Sequence, residues 1–138
     1  MDDTLARTRF STERNAVLGT VADGGQPHLV PCCYAMTPSA ETVYSAIDGK
    51  PKSTMSLRRL ANIEASPAVS FLIDYFDEDW STLWWIRVDG EARVIDSGNE
   101  WSTAIDLLVE KYSQYQAMRP TGAVIATTIT AWRFWSAT

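Results

Sequence analysis

Lys50, Lys52, Arg58 and Arg59 fall within fifteen residues, Gly49 to Ile63, that hold no carboxylate. The whole chain has 12 Lys and Arg against 17 Asp and Glu, a net charge of −5, so this window is a positive island in an acidic molecule. Cations held this close repel one another unless an anion or solvent screens them. Two lysines beside a Gly-Pro turn, followed by two arginines near a helix start, suit a compact phosphate. A solvated loop running into an exposed helix is the alternative reading.

The other polar side chains exclude most familiar chemistry. His28 is the only histidine, and the only cysteines, Cys32 and Cys33, are adjacent. On a strand, neighbouring cysteines point to opposite faces, and residues four apart are separated by roughly 13 Å. That spacing rules out a local zinc site and a local Cys–His nucleophile pair, and no metal is expected. Asp77, Glu78 and Asp79 lack the alternating ligands of a calcium loop and read as a solvated hairpin tip. Gly24-Gly25 is followed by a strand, not by the helix of a dinucleotide fingerprint. The pI near 4.7 argues against nucleic-acid binding. Tyr34 and Tyr44 are polar candidates by type, with a structural strand role as the plainer reading. Six tryptophans are many for 138 residues. Trp84 and Trp85 must face opposite sides of a strand, as must Trp132 with Phe134 against Trp135. An anion clamp beside aromatic walls, without acid–base machinery, points to chemistry carried by a bound cofactor.

Elements to position these groups follow from pattern. Residues 2–13 read as a helix with Asp2 and Asp3 at its positive end and Leu5 and Phe10 as anchors. Strands are expected over 16–21, 27–35, 42–47, 68–75, 82–95 and 123–135. The first two are joined by an Asp-Gly hairpin, and the fifth is expected to be bent or bulged at Asp89-Gly90. Pro27 and Pro31 place an open edge on the second strand. Ser53–Ile63 reads as a short helix. Ser97 and Glu100 form a capping box for another helix, which buries Trp101, Ile105, Leu108, Tyr112 and Tyr115. Six hairpin-spaced strands with short flanking helices predict a mainly β fold, a closed or split antiparallel barrel, in one domain spanning residues 1–138. Neither a signal peptide nor a membrane span is evident, so a cytoplasmic location is expected.

The order of several short motifs resembles the pyridoxamine-phosphate-oxidase-like split-barrel flavin and deazaflavin proteins, and within them the actinobacterial branch that uses coenzyme F-420. These are Gly19-Thr20-Val21, Pro27-His28-Leu29-Val30-Pro31, Ile47 to Lys52, Leu57 to Ile63, Asp79-Trp80, Leu83 to Arg87, Gly90-Glu91-Ala92, Lys111-Tyr112 and Gln114-Tyr115, with Trp132 and Trp135. The resemblance implies a six-stranded split barrel and a homodimer with cofactor sites at the interface. It implies an oxidoreductase that passes a hydride from the deazaflavin to a small unsaturated acceptor. Lys50, Lys52, Arg58 and Arg59, with Asn62 nearby, would grip the phosphate. Val30, Pro31, Cys32, Cys33, Ile47 and Asp48 would line the ring and its side chain. Trp84, Trp85 and Arg87 would come from the partner subunit. Met55 and Ser56 stand where the branch often has a further cation, and Ser113 where it often has proline. FMN therefore stays as an alternative cofactor, and a non-catalytic carrier as an alternative role.

Overall fold

The structure, a computed structural model, describes residues 1–47 and 54–138; the side chains of 54–57 are also outside the description. Helix α1 (Asp3–Thr12) starts where the Asp2 carboxylate accepts a hydrogen bond from Leu5 N at 2.8 Å. Its buried side chains are Ala6 and Phe10, one turn apart, whereas the expected anchor Leu5 is exposed. Phe10 packs edge-on against Trp132, with ring centroids 5.5 Å apart.

The strands are β1 (Ala16–Val21), β2 (Pro27–Cys32), β3 (Ala35–Met36), β4 (Thr42–Ala46), β5 (Ala68–Tyr75), β6 (Trp84–Ile95) and β7 (Val124–Ser136). Gly24 and Gly25, both at positive φ, turn β1 into β2. The expected strand over 27–35 is two strands, giving seven among the described residues rather than six. It breaks at Cys33–Tyr34, where the Tyr34 backbone turns to side-chain partners. All seven pair antiparallel in the order β2-β1-β5-β6-β7-β4-β3. The proline-bearing β2 is an edge, as its missing donors require. The other edge is β3, separated from β2 by only two residues of chain, so the sheet must curl to bring the start of β3 back to the end of β2. The result is a curled half-barrel with flanking helices, the split-barrel class.

The β6–β7 ladder shifts register between Asp89 and Gly90, the expected position, but the extra residue is Thr130 of β7 rather than one of β6. Helix α2 (Thr54–Ala65) is pinned to β1 through Asn62, whose amide donates to Thr20 Oγ1 at 3.0 Å. Helix α3 (Asn99–Lys111) buries Ala104, Ile105 and Leu108 against the sheet. Its N-cap is Gly98 at φ 94°, with no side-chain cap, so the capping box is corrected. Glu100 instead takes a bidentate ion pair from Arg93 at 2.5 and 2.6 Å and a hydrogen bond from Tyr44 at 3.0 Å. A charge-assisted fork outcompetes a reciprocal cap. A short helix, α4 (Ser113–Ala117), comes next. Among the described residues, no helix is long and apolar enough to cross a membrane, and no three His, Cys, Asp or Glu could jointly hold a metal.

Candidate functional site

A cleft of about 240 Å³ opens at the end of β2, lined by Asn15, Pro31, Cys32, Cys33, Ala46, Arg59 and Tyr115. Alternation along β2 explains its two-sided wall. Cys32 faces the core with Val30, while Pro31 and Cys33 face outward. The cleft therefore wraps the open sheet edge. Arg59 from α2 supplies its cation and Tyr115 its aromatic surface, with Pro31 and Ala46 apolar. Burial pushes the Cys32 thiol up to about 11, which keeps it a neutral wall rather than a nucleophile. The Ser45 hydroxyl donates to Cys33 O at 2.8 Å and ties β4 to this edge.

Several sequence-selected residues thus come together: Pro31, Cys32, Cys33 and Arg59 line one space, with Val30 and Ile47 buried in the core behind. Arg58 is exposed on the same helix. Asp48, Lys50 and Lys52, with the turn expected at Gly49 and Pro51, lie outside the described residues. Asn62 spends its amide on Thr20 inside the fold.

Trp84, Trp85 and Arg87 do not line the cleft of this chain. Trp84 faces inward, stacked on Tyr75 at 6.5 Å and covered by Arg9. Trp85 and Arg87 face out. Arg87 holds Asp89 with bonds of 2.9 and 3.1 Å, and Ser70 donates to the same carboxylate. Register puts Arg87 in one cross-strand row, Pro31–Val17–Leu72–Arg87–Arg133, and Trp85 in another, Asp74–Trp85–Trp135. Cleft and outer sheet face are therefore continuous.

Tyr34 and Tyr44 are structural. The Tyr34 hydroxyl is buried against Phe10 O, and burial raises it far above the ordinary phenol range. Burial, and then the Glu100 carboxylate, raise Tyr44 to about 12. Sequence reasoning did not select Asn15 or Tyr115 for the site. Asn15 carries no motif; Tyr115 continues the three-and-four spacing of α3 and so reads as core.

No curated protein matches this chain. Solved structures do. A conserved hypothetical protein of Mycobacterium tuberculosis superposes with a TM-score of 0.79 at 19% identity, covering 99% of this chain and 86% of the other. A haem storage protein of Vibrio cholerae gives 0.68 at 14% identity, covering 96% and 90%. An FAD-binding protein of Mesorhizobium loti gives 0.64 at 16% identity, covering 97% and 94%. At these identities the likeness is one of fold. Residues 3–136 match the family described as pyridoxamine 5'-phosphate oxidase, almost the full length, and the chain belongs to that family.

Proposed function

We propose that this protein binds a phosphorylated flavin-type cofactor at the β2-edge cleft and acts as an oxidoreductase, with coenzyme F-420 as the cofactor and FMN as the alternative. The observation that carries this reading is the meeting of Pro31, Cys32 and Cys33 with Arg59, which lie on separate elements and combine apolar walls with a phosphate-seeking guanidinium. When bound, the deazaflavin supplies a hydride to a small unsaturated acceptor. The chain's own part is to anchor the phosphate through Arg59, with Arg58 on the same helix; the part expected of Lys50 and Lys52 is proposed from the sequence alone. Pro31, Ala46 and Tyr115 hold the ring and exclude water. Carriage without turnover is the second reading, since the cleft lining includes neither a histidine nor a carboxylate among the described residues.

At about 240 Å³ the cleft is smaller than the roughly 300–1,000 Å³ of ligand pockets. Its remaining walls must come from outside the described residues or from a second copy. We assign the second copy to the outer sheet face, where Leu29 (67% exposed), Leu72 (40%) and Trp135 (47%) form an apolar surface with the Arg87–Asp89 pair beside them. A self-complementary two-fold contact there would bring a partner's Trp85 and Arg87 toward the cleft. Leu72→Asp is expected to shift the protein to monomer in light-scattering chromatography and to weaken cofactor binding at least tenfold. A monomeric wild type would sink the dimer.

The cofactor assignment is tested by titrating purified protein with coenzyme F-420, FMN and haem while following absorbance and tryptophan quenching. Haem is the comparison ligand because imidazole ligation would fall to His28, half-buried on the inner side of β2 opposite Thr20, away from the cleft. Binding of F-420 or FMN below about 100 μM, near −5.5 kcal/mol, is expected. Haem binding alone would overturn the flavin-type reading. Consumption of reduced F-420 by enones or quinones separates enzyme from carrier.

A further inference from the structure

Three cleft-lining residues, Asn15, Cys33 and Tyr115, come from separate parts of the chain, and each is close in sequence to a member of one polar cluster. That cluster is a reciprocal buckle. The Arg14 guanidinium donates to Lys111 O at 2.8 Å, and the Lys111 ammonium donates to Tyr34 O, also at 2.8 Å. The Tyr112 hydroxyl accepts from Tyr34 N at 3.1 Å. It also lies 2.9 and 3.0 Å from the carbonyls of Arg14 and Tyr34, to one of which it donates. Lys111 sits over the Tyr34 ring at 3.9 Å from its centroid, and Arg14 over the Tyr112 ring at 4.8 Å. Every bond in the buckle ends on main chain, so side-chain chemistry here sets backbone position. Among the described residues, Lys111 has no carboxylate within ion-pair distance.

We propose that Lys111 is a positioning residue for the cleft: its charged ammonium holds the Cys33–Tyr34 turn against the end of α3, and ligand affinity depends on that charge. This rests on the reading that the cleft binds the cofactor. The alternative tie through Tyr112 alone would leave the geometry insensitive to pH, since burial pushes that hydroxyl up to about 12.

The groups facing Lys111 fix the direction of the effect. Burial first, then Arg14, pull it down to about 8, while Cys33, Glu13 and Cys32 oppose the fall; the Tyr34 and Tyr112 rings complete its surroundings. Below that pH the bond to Tyr34 O is charge-assisted; above it, a neutral amine makes a weaker one. The cleft wall therefore loosens as pH rises through about 8. An anionic ligand favours the ammonium, so binding takes up a proton in that range.

The experiment measures FMN and F-420 affinity of the full chain from about pH 6.5 to 9.5, with amide hydrogen exchange of the ligand-free protein across the same range. The wild type is expected to lose about tenfold in affinity across the rise, equivalent to one pH unit of linkage. Lys111→Met should bind weakly and without this pH step, with faster exchange over residues 31–36 and 112–117 and unchanged exchange in β6. Lys111→Arg, always charged, should also lose the step but keep affinity and protection. Cys33→Ser should keep the step; its loss there would move the titration to the thiol and overturn the proposal. Wild-type affinity flat with pH, or a Lys111→Met protein protected like wild type, would overturn it too. If the wild type binds neither cofactor, the cofactor reading falls, while the exchange data still decide whether Lys111 holds the turn.

Discussion

Gly90→Ala is expected to lower stability by about 3–4 kcal/mol, the upper end for overpacking. A Cβ at Gly90 would stand 2.4 Å from Thr128 O and 2.7 Å from Thr127 Cγ2. Both belong to β7, and the first is backbone, so no side-chain rotation relieves the clash. Relief would require parting the β6–β7 ladder, which joins the two longest strands of the sheet. The contact lies at the register shift, where Thr130 is the extra residue of β7. Denaturant unfolding measures the effect; a loss under about 1 kcal/mol would mean that β7 yields more readily than a paired strand should.

Arg59→Ala should weaken cofactor binding by about 1.5–3 kcal/mol, roughly 10- to 150-fold, if its guanidinium makes charge-assisted bonds to the phosphate. Of the described cations in the basic window, Arg59 lines the cleft and Arg58 stands exposed beside it. Arg58→Ala and Lys52→Ala are expected to act in the same direction. Thermal melts of each variant separate lost binding from lost fold. Unchanged affinity in all three would remove the anchor and return the window to a solvated surface. The measurement should be made at low and at moderate salt, since screening at about 0.15 M already limits exposed pairs to a Debye length near 8 Å.

The strand pattern was legible because most strands alternate buried and exposed positions, which is plain along β1 and along β6, where Ile86 and Val88 face in and Arg87 out. Pro27 and Pro31 marked the edge, Gly24-Gly25 the hairpin and Asp89-Gly90 the bulge, each through a backbone restriction that does not depend on distant residues. Features set by distant residues were missed. At the break of β2 from β3, Tyr112 and Lys111, far along the chain, bond the Tyr34 N–H and carbonyl. Ser97 and Glu100 have the spacing of a capping box, but Arg93 across the loop claims the carboxylate. Tyr115 keeps helical spacing with Trp101 and Leu108, yet the helix ends at Tyr112, whose φ of −117° redirects the backbone into α4. Of the cleft, Arg59 was marked by the local run of cations, and Pro31, Cys32 and Cys33 through resemblance to a family. Asn15 could be placed only once β1 had been registered against β2.

The position of β7 has a consequence for how the molecule is made. In the sheet it lies between β6 and β4, yet it follows the other six described strands in sequence. Without it the order falls into two pieces, β2-β1-β5-β6 and β4-β3, each with an unpaired edge facing the other. Synthesis from the N-terminus therefore produces six strands before the one that joins them. Until β7 arrives, the nascent chain exposes two open templates for strand addition, the condition in which neighbouring copies on a polysome associate wrongly. The late, long and apolar-faced β7 works as a keystone, and the hazard it leaves open during translation is the interval before it is set.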